Sequence, residues 1–145
     1  MSSEQKIGVI GGGSWATALV KVLLNNSSKV AWWVRKDSTA DHIKQYGHNP
    51  NYISSIEFDK SSIEVTTNVN EVINSCDVLF FVVPSAFLHE TIKEVDASAL
   101  EGKTIVSAIK GIIPEYHQIP ASYFVEHYGV NINDIAIVSG PCHAE

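Results

Sequence analysis

The sequence predicts an α/β fold, a doubly wound and mainly parallel sheet with helices on both faces. Three observations carry this reading. Short β-branched and aromatic runs alternate with stretches of helical apolar spacing, which is the pattern of parallel crossover units. The strongest runs are apolar at consecutive positions, as suits strands covered on both faces. A glycine cluster stands between the first strand and the first helix.

Lys6-Ile7-Gly8-Val9-Ile10 reads as the first strand, and Gly11-Gly12-Gly13-Ser14 as the turn after it. Trp15, Ala18, Leu19, Val22 and Leu23 then recur at the spacing of an amphipathic helix that stops at Asn25-Asn26. Val30 to Val34 is the second strand, apolar throughout, with Arg35 at its carboxyl end. Ser38 or Thr39 can cap a helix reaching Tyr46, and Gly47-His48-Asn49-Pro50-Asn51 is a loop leading to Tyr52. Ile63 to Thr66 is a weaker strand, and Asn68 and Glu71 have the spacing of a capping box for a short helix. Val78 to Val83 is the strongest strand, ended by Pro84. A helix over Phe87 to Glu94, a strand over Thr104 to Ile109 and Lys110-Gly111 follow. Pro120 suits the start of a helix before Ser122 to His127, and Ile135 to Val138 is the last strand.

At 145 residues a single domain is expected, residues 1–145, with enough apolar surface for one core. The net charge of −6 has the wrong sign for binding nucleic acid or an anionic membrane, so any anion needs a local site. Nine of the ten basic residues are lysine, and the sole arginine is Arg35. Cys76 and Cys142 are far apart and the histidines at 42, 48, 89, 117 and 127 show no ligand spacing, so neither a metal site nor a disulfide framework is expected. No stretch approaches a membrane span or a signal peptide. A reducing cytoplasm is the expected location. Trp32, Trp33 and Cys76 read as core, and Asp77 as a turn or cap residue.

Gly11-Gly12-Gly13-Ser14-Trp15-Ala16 fits G-x-G-x-x-G/A, with Ala16 in the last slot. The first glycine permits a tight turn and the second lets backbone approach a pyrophosphate. A small third residue lets helix and strand pack closely. The helix amino terminus adds free N–H groups and a favourable dipole. This is a Rossmann-like dinucleotide site by strand, turn and helix context. Where an acid would accept from the ribose of NAD, the chain has Arg35-Lys36. Guanidinium pairs with a 2′-phosphate, so NADPH is preferred and NADH remains possible. Arg35, Pro84, Lys110 and Gly140 all follow strands and should face the carboxyl edge of the sheet.

Gly-x-Gly-Ser-Trp-x-Thr-Ala-Leu at the turn, Asn49-Pro50-Asn51-Tyr52-Ile53, Val83-Pro84-Ser85, Lys110-Gly111-Ile112 and Ser139-Gly140-Pro141-Cys142-His143-Ala144-Glu145 occur in that order. Together they resemble the amino-terminal domain of the bacterial type of NAD(P)-dependent glycerol-3-phosphate dehydrogenase, over Lys6 to Glu145. Enzymes of that family interconvert dihydroxyacetone phosphate and sn-glycerol 3-phosphate, feeding phospholipid synthesis. The resemblance implies that Gly11, Gly13, Ser14, Trp15 and Ala16 meet the cofactor, that Arg35 and Lys36 sit at the adenosine ribose, and that Tyr52 helps enclose it. It further implies that Lys110 contacts cofactor and substrate, Gly140 and Cys142 the substrate, and Ala144 the cofactor. Ala16 and Cys142-His143 depart from the family's commoner residues. The family's general acid/base, a further lysine, belongs to a helical carboxyl-terminal domain expected after Glu145. The chain is therefore expected to bind cofactor without turnover, and the full-length protein to be a homodimer.

Plainer readings stand beside these. Helical spacing alone makes Trp15 a core residue; the turn-rich loop makes Tyr52 a cover for the sheet edge, and the place before Gly111 makes Lys110 a helix C-cap or loop lysine. Cys142-His143 does not read as a nucleophilic pair, because adjacent side chains usually point apart. The rival functions are a related hydroxy-acid dehydrogenase domain, which shares the glycine turn alone, and a nucleotide-sensing module without chemistry.

Overall fold

The computed structural model describes residues 3–139. Six strands, β1 (Ile7–Ile10), β2 (Val30–Trp33), β3 (Ile63–Thr66), β4 (Val78–Phe81), β5 (Thr104–Ser107) and β6 (Ile135–Ile137), form one sheet in the order β3-β2-β1-β4-β5-β6. Every neighbouring pair is parallel. The α-helices are α1 (Ser14–Leu23), α2 (Asp37–Tyr46), α3 (Val69–Ser75), α4 (Ser85–Ile92) and α5 (Pro120–Tyr128). This is the doubly wound architecture expected, with the order reversing between β1 and β4.

Both faces of the sheet are covered because consecutive strand residues point oppositely and both are apolar. On one face Val9, Trp32 and Val65 pack with Ala16, Leu19 and Val20 of α1 and Ala40 and Ile43 of α2. On the other, Ile10, Trp33 and Phe81 pack with Val72 and Ile73 of α3, Leu88 and Ile92 of α4 and Tyr123 and Phe124 of α5. Trp32 and Trp33 are both buried, as expected, and serve opposite faces. Cys76 is buried in the second core, where burial pushes its thiol pKa up and keeps it protonated and inert. Asp77 accepts from the Lys6 amide, 2.9 Å, tying the start of β1 to that of β4.

Several boundaries differ from the expectation for physical reasons. The strand from Val78 stops at Phe81 because its neighbour leaves: Val82 N–H still donates to Ile10 O at 2.8 Å, but the β1 chain then turns away at Gly11. The strand from Thr104 likewise stops at Ser107, after which the Ala108 amide still donates to Phe81 O and the Val138 amide to Ser107 O. Pro84 does more than end β4, since α4 begins immediately after it at Ser85. Thr39 is buried and Lys36 takes the cap position of α2 without a side-chain bond. Asn68 caps α3 by accepting from the Asn70 amide, whereas Glu71 accepts from the Thr66 hydroxyl and closes no box.

Gly8 lets α3 lie close on β1. A Cβ there would stand 2.5 Å from Val72 Cγ1 and 3.0 Å from Cys76 Sγ. Gly8→Ala is expected to lower stability by about 1–3 kcal/mol through overpacking, read from the urea midpoint, and pairing it with Val72→Ala should recover part of the loss.

Candidate functional site

A cleft of about 540 Å³ opens beyond the carboxyl ends of β1, β2 and β4, where the strand order reverses. Gly12 and Gly13 form its floor from the first turn, Trp33 to Lys36 come from the end of β2, and Val82 to Pro84 from the end of β4. Asn51 and Tyr52 reach it from the loop after α2, and Phe87 and Thr91 from α4. A smaller cleft of about 360 Å³ lies at the other end of the sheet, between Ala97–Lys103 and Tyr128–Asn131. Open α/β sheets bind ligands at carboxyl strand ends, so the first cleft is the candidate site.

The turn after β1 is fixed from all sides. Gly11 has φ +147°, and a Cβ on it would lie 2.2 Å from Val82 O, so only glycine fits. Its amide donates to Trp33 O at 3.1 Å, and its carbonyl accepts from Trp32 Nε1 at 2.7 Å. Asn49 is fully buried; its Nδ2 donates to Gly12 O at 3.0 Å and to Thr17 Oγ1 at 2.9 Å. Thr17 Oγ1 in turn donates to Gly13 O at 2.7 Å. Every carbonyl of the glycine run thus has a donor, while Gly13 caps α1 with no side chain accepting from its first amides and no acid in its first turn. A Cβ on Gly13 would meet nothing within 4 Å. The result is an open helix amino terminus at the cleft floor, with N–H groups that have no partner among the described residues and a positive dipole end, which suits an anion.

At the other wall, Arg35 holds its guanidinium carbon 5.7 Å from the centre of the Phe87 ring, within cation–π reach. Asp37, the nearest carboxylate in sequence, accepts from Thr67 Oγ1 at 2.6 Å and takes no part in the cleft wall. The pKa values of Tyr123 and Tyr128 are raised chiefly by burial, and both residues belong to α5 and not to the cleft.

The family model described as "NAD-dependent glycerol-3-phosphate dehydrogenase N-terminus" matches residues 6–145. The chain belongs to this family. Glycerol-3-phosphate dehydrogenase [NAD(P)+] of Streptococcus agalactiae is 37% identical to it over 145 residues, 99% of this chain and 42% of the relative. The enzyme of Staphylococcus carnosus is 34% identical over 97% of this chain and 42% of its own length. The chain thus spans about two fifths of these relatives. Among solved structures, glycerol-3-phosphate dehydrogenase from Coxiella burnetii superposes with a TM-score of 0.82 at 23% identity, over 95% of this chain and 41% of that one. The Saccharomyces cerevisiae enzyme gives 0.77 at 22%, over 95% and 42%; both likenesses bear on the fold.

Of the residues singled out in the sequence, the structure brings Gly13, Arg35, Lys36 and Tyr52 into one cleft. Gly11 lies buried behind the cleft floor, and Ala16 is buried where α1 meets the first core. Ser14 and Trp15 open α1, and Trp15 is 46% exposed, so helical spacing alone misplaces it. Lys110 is exposed after β5, on the same sheet edge but outside the cleft wall; its neighbour Gly111 lies beside α4, where a Cβ would stand 3.8 Å from Ser85 Oγ. Gly140, Cys142 and Ala144 lie outside the described residues. Sequence reasoning missed Phe87 and Asn49. The available signal for Phe87 was an aromatic residue one turn after a strand-ending proline, and for Asn49 its place in a loop otherwise read for its turn chemistry.

Asn49→Ala removes two donors and leaves Gly12 O without its partner, a cost of about 1–3 kcal/mol. The urea midpoint is expected to fall accordingly. Asn49→Asp, which keeps the shape and the acceptor for the Asn51 amide but loses both N–H groups, should not restore it.

Proposed function

We propose that this chain is the NADPH-binding part of an oxidoreductase that interconverts dihydroxyacetone phosphate and sn-glycerol 3-phosphate, and that by itself it binds cofactor without turnover. The observation that carries the reading is the glycine turn. Its carbonyls are held by Trp32, Asn49 and Thr17 and its Gly11 amide by Trp33 O, while Gly12 and Gly13 line the cleft at the start of α1. A dinucleotide fits there: the pyrophosphate against Gly12, Gly13 and the first turn of α1, and the adenosine end between Arg35, Lys36, Tyr52 and Phe87.

The nicotinamide cofactor supplies the hydride when bound. The chain's own residues bind and orient. Gly11, closed against Val82 O, sets the direction of the turn. Ser14 and Trp15 stand at the mouth of the anion site, and Ala16 lets α1 pack close to the sheet. Arg35 and Lys36 place positive charge at the ribose end, and no carboxylate is among the residues that line the cleft, Asp37 being bonded to Thr67. This supports NADPH over NADH. Lys110, on the same edge, is the residue proposed to reach both cofactor and substrate, with Gly140 and Cys142 at the substrate and Ala144 at the cofactor. Protonating the alkoxide formed on reduction needs a positioned acid. We assign it to a lysine of a helical carboxyl-terminal domain, the part of the relatives that this chain does not span. Homodimerisation of such a full-length enzyme and a cytoplasmic location belong to the same reading.

Titration of the tryptophan fluorescence with NADPH and NADH tests the cofactor. NADPH should bind more tightly. Arg35→Ala should abolish most of the difference, roughly 10- to 100-fold for one or two charge-assisted bonds. Equal affinities, unchanged by the substitution, would overturn the preference. Separately, the 145-residue chain mixed with NADPH and dihydroxyacetone phosphate should show no oxidation of NADPH above the protein-free rate, and steady turnover would overturn the binding-only reading.

A further inference from the structure

Phe87 is a large apolar side chain left 48% exposed in the first turn of α4, while the next residue, Leu88, is fully buried. The helix beneath it is firmly seated. Leu88 and Ile92 anchor α4 in the second core, the Phe87 amide donates to Pro84 O at 2.8 Å, and the Phe87 carbonyl accepts from Thr91 Oγ1 at 2.7 Å. The ring therefore stands on a fixed platform just past the carboxyl end of β4. Arg35 comes from the carboxyl end of β2, on the far side of β1. The Val34 amide, bonded to Thr66 O at 3.0 Å, fixes the backbone before it. With the guanidinium carbon 5.7 Å from the ring centre, the pair joins the two walls of the cleft.

Among the described residues the ion pairs join Lys29 to Glu64 and Lys93 to Glu90, and neither holds Arg35. What meets its charge is the ring. We infer that Phe87 is a positioning residue for Arg35 and, through it, sets the preference of the cleft for a 2′-phosphate. This rests on the dinucleotide reading above.

An arginine side chain gives up much rotational freedom when it grips an anion. A ring that engages the guanidinium beforehand takes part of that loss before the ligand arrives. Stacking uses the face of a guanidinium, whereas a phosphate is held by its N–H edge, so the two contacts are compatible. Leucine at position 87 would keep apolar cover on the cleft wall but has no ring quadrupole to attract the cation. At an exposed site that attraction is a factor of about two to five in affinity. NADH lacks the extra phosphate, so the ratio of the two affinities separates action through Arg35 from any contact of the ring with the shared adenosine.

Arg35 is the sole arginine, so the chain gives a single arginine Nε–H signal in a nitrogen–proton spectrum. In the unaltered chain that signal should show nuclear Overhauser contacts to the Phe87 ring. It should move in Phe87→Leu and hold its position in Phe87→Tyr. In the fluorescence titration, Phe87→Leu should lower the NADPH-to-NADH affinity ratio about two- to fivefold, and Phe87→Tyr should keep it. In an Arg35→Ala background, Phe87→Leu should change the ratio no further. Equal affinities in the unaltered chain would overturn the cofactor preference and this inference together. A preference that Phe87→Leu leaves intact, or lowers by the same factor with and without Arg35, would overturn this inference alone. So would a missing Overhauser contact in the unaltered chain, a result that depends on no variant folding.

Discussion

The contact on which the site depends is the closure of Gly11 against the end of β4. With a Cβ position 2.2 Å from Val82 O, the first strand can turn only as glycine turns, at the edge where β1 and β4 diverge. That divergence ends both strands, opens the cleft and directs the next amides outward. The surroundings hold the turn in place with side chains from elsewhere in the chain. Trp32 reaches across from β2 to the Gly11 carbonyl, and Asn49 reaches from the loop after α2 to the Gly12 carbonyl. Buried carbonyls need donors, and supplying them from two distant segments couples the glycine turn to the α1–α2 half of the domain.

The tryptophan pair shows how one stretch of sequence serves core and site at once. Successive strand residues face opposite sides, so Trp32 enters the core beneath α1 and α2 while Trp33 enters the core beneath α3 and α4. Each indole is large enough to bury much apolar area, and each N–H finds a backbone carbonyl, Gly11 O for one and Thr67 O for the other. The first of these bonds shapes the glycine turn; the second fastens the loop whose Thr67 hydroxyl engages Asp37. That bond holds the Asp37 carboxylate to Thr67, and Asp37 is not among the residues that line the cleft beside Arg35 and Lys36.

Much of this domain was legible because its signals are local. The alternation of apolar strands with helices, the glycine run and the basic pair after β2 are each read within a dozen residues, and the family match over residues 6–145 agrees with the resemblance those motifs carry. What escaped reading depends on distant partners. Where strands β4 and β5 stop is set by where their neighbours leave, which no single strand encodes. Glu71 closes no capping box because the Asn68 amide that the box would use donates instead to Thr66 Oγ1, whose hydroxyl donates to Glu71. Trp15 keeps helical spacing but lies on the exposed side of α1, and Phe87 is an ordinary helix residue until Arg35 is seen above its ring.

By itself, then, the sequence determined the fold class, the glycine turn between the first strand and helix, and the family, since these rest on periodicity, on glycine's conformational range and on motifs contiguous in the chain. Only the tertiary structure decided which residues share the cleft, that Asn49 and Trp32 hold the turn, and that His42 and His48 meet edge to face. Those are juxtapositions across a sheet edge or a helix end, and hydrogen bonds and ring contacts between them arise from packing geometry that spacing along the chain does not express.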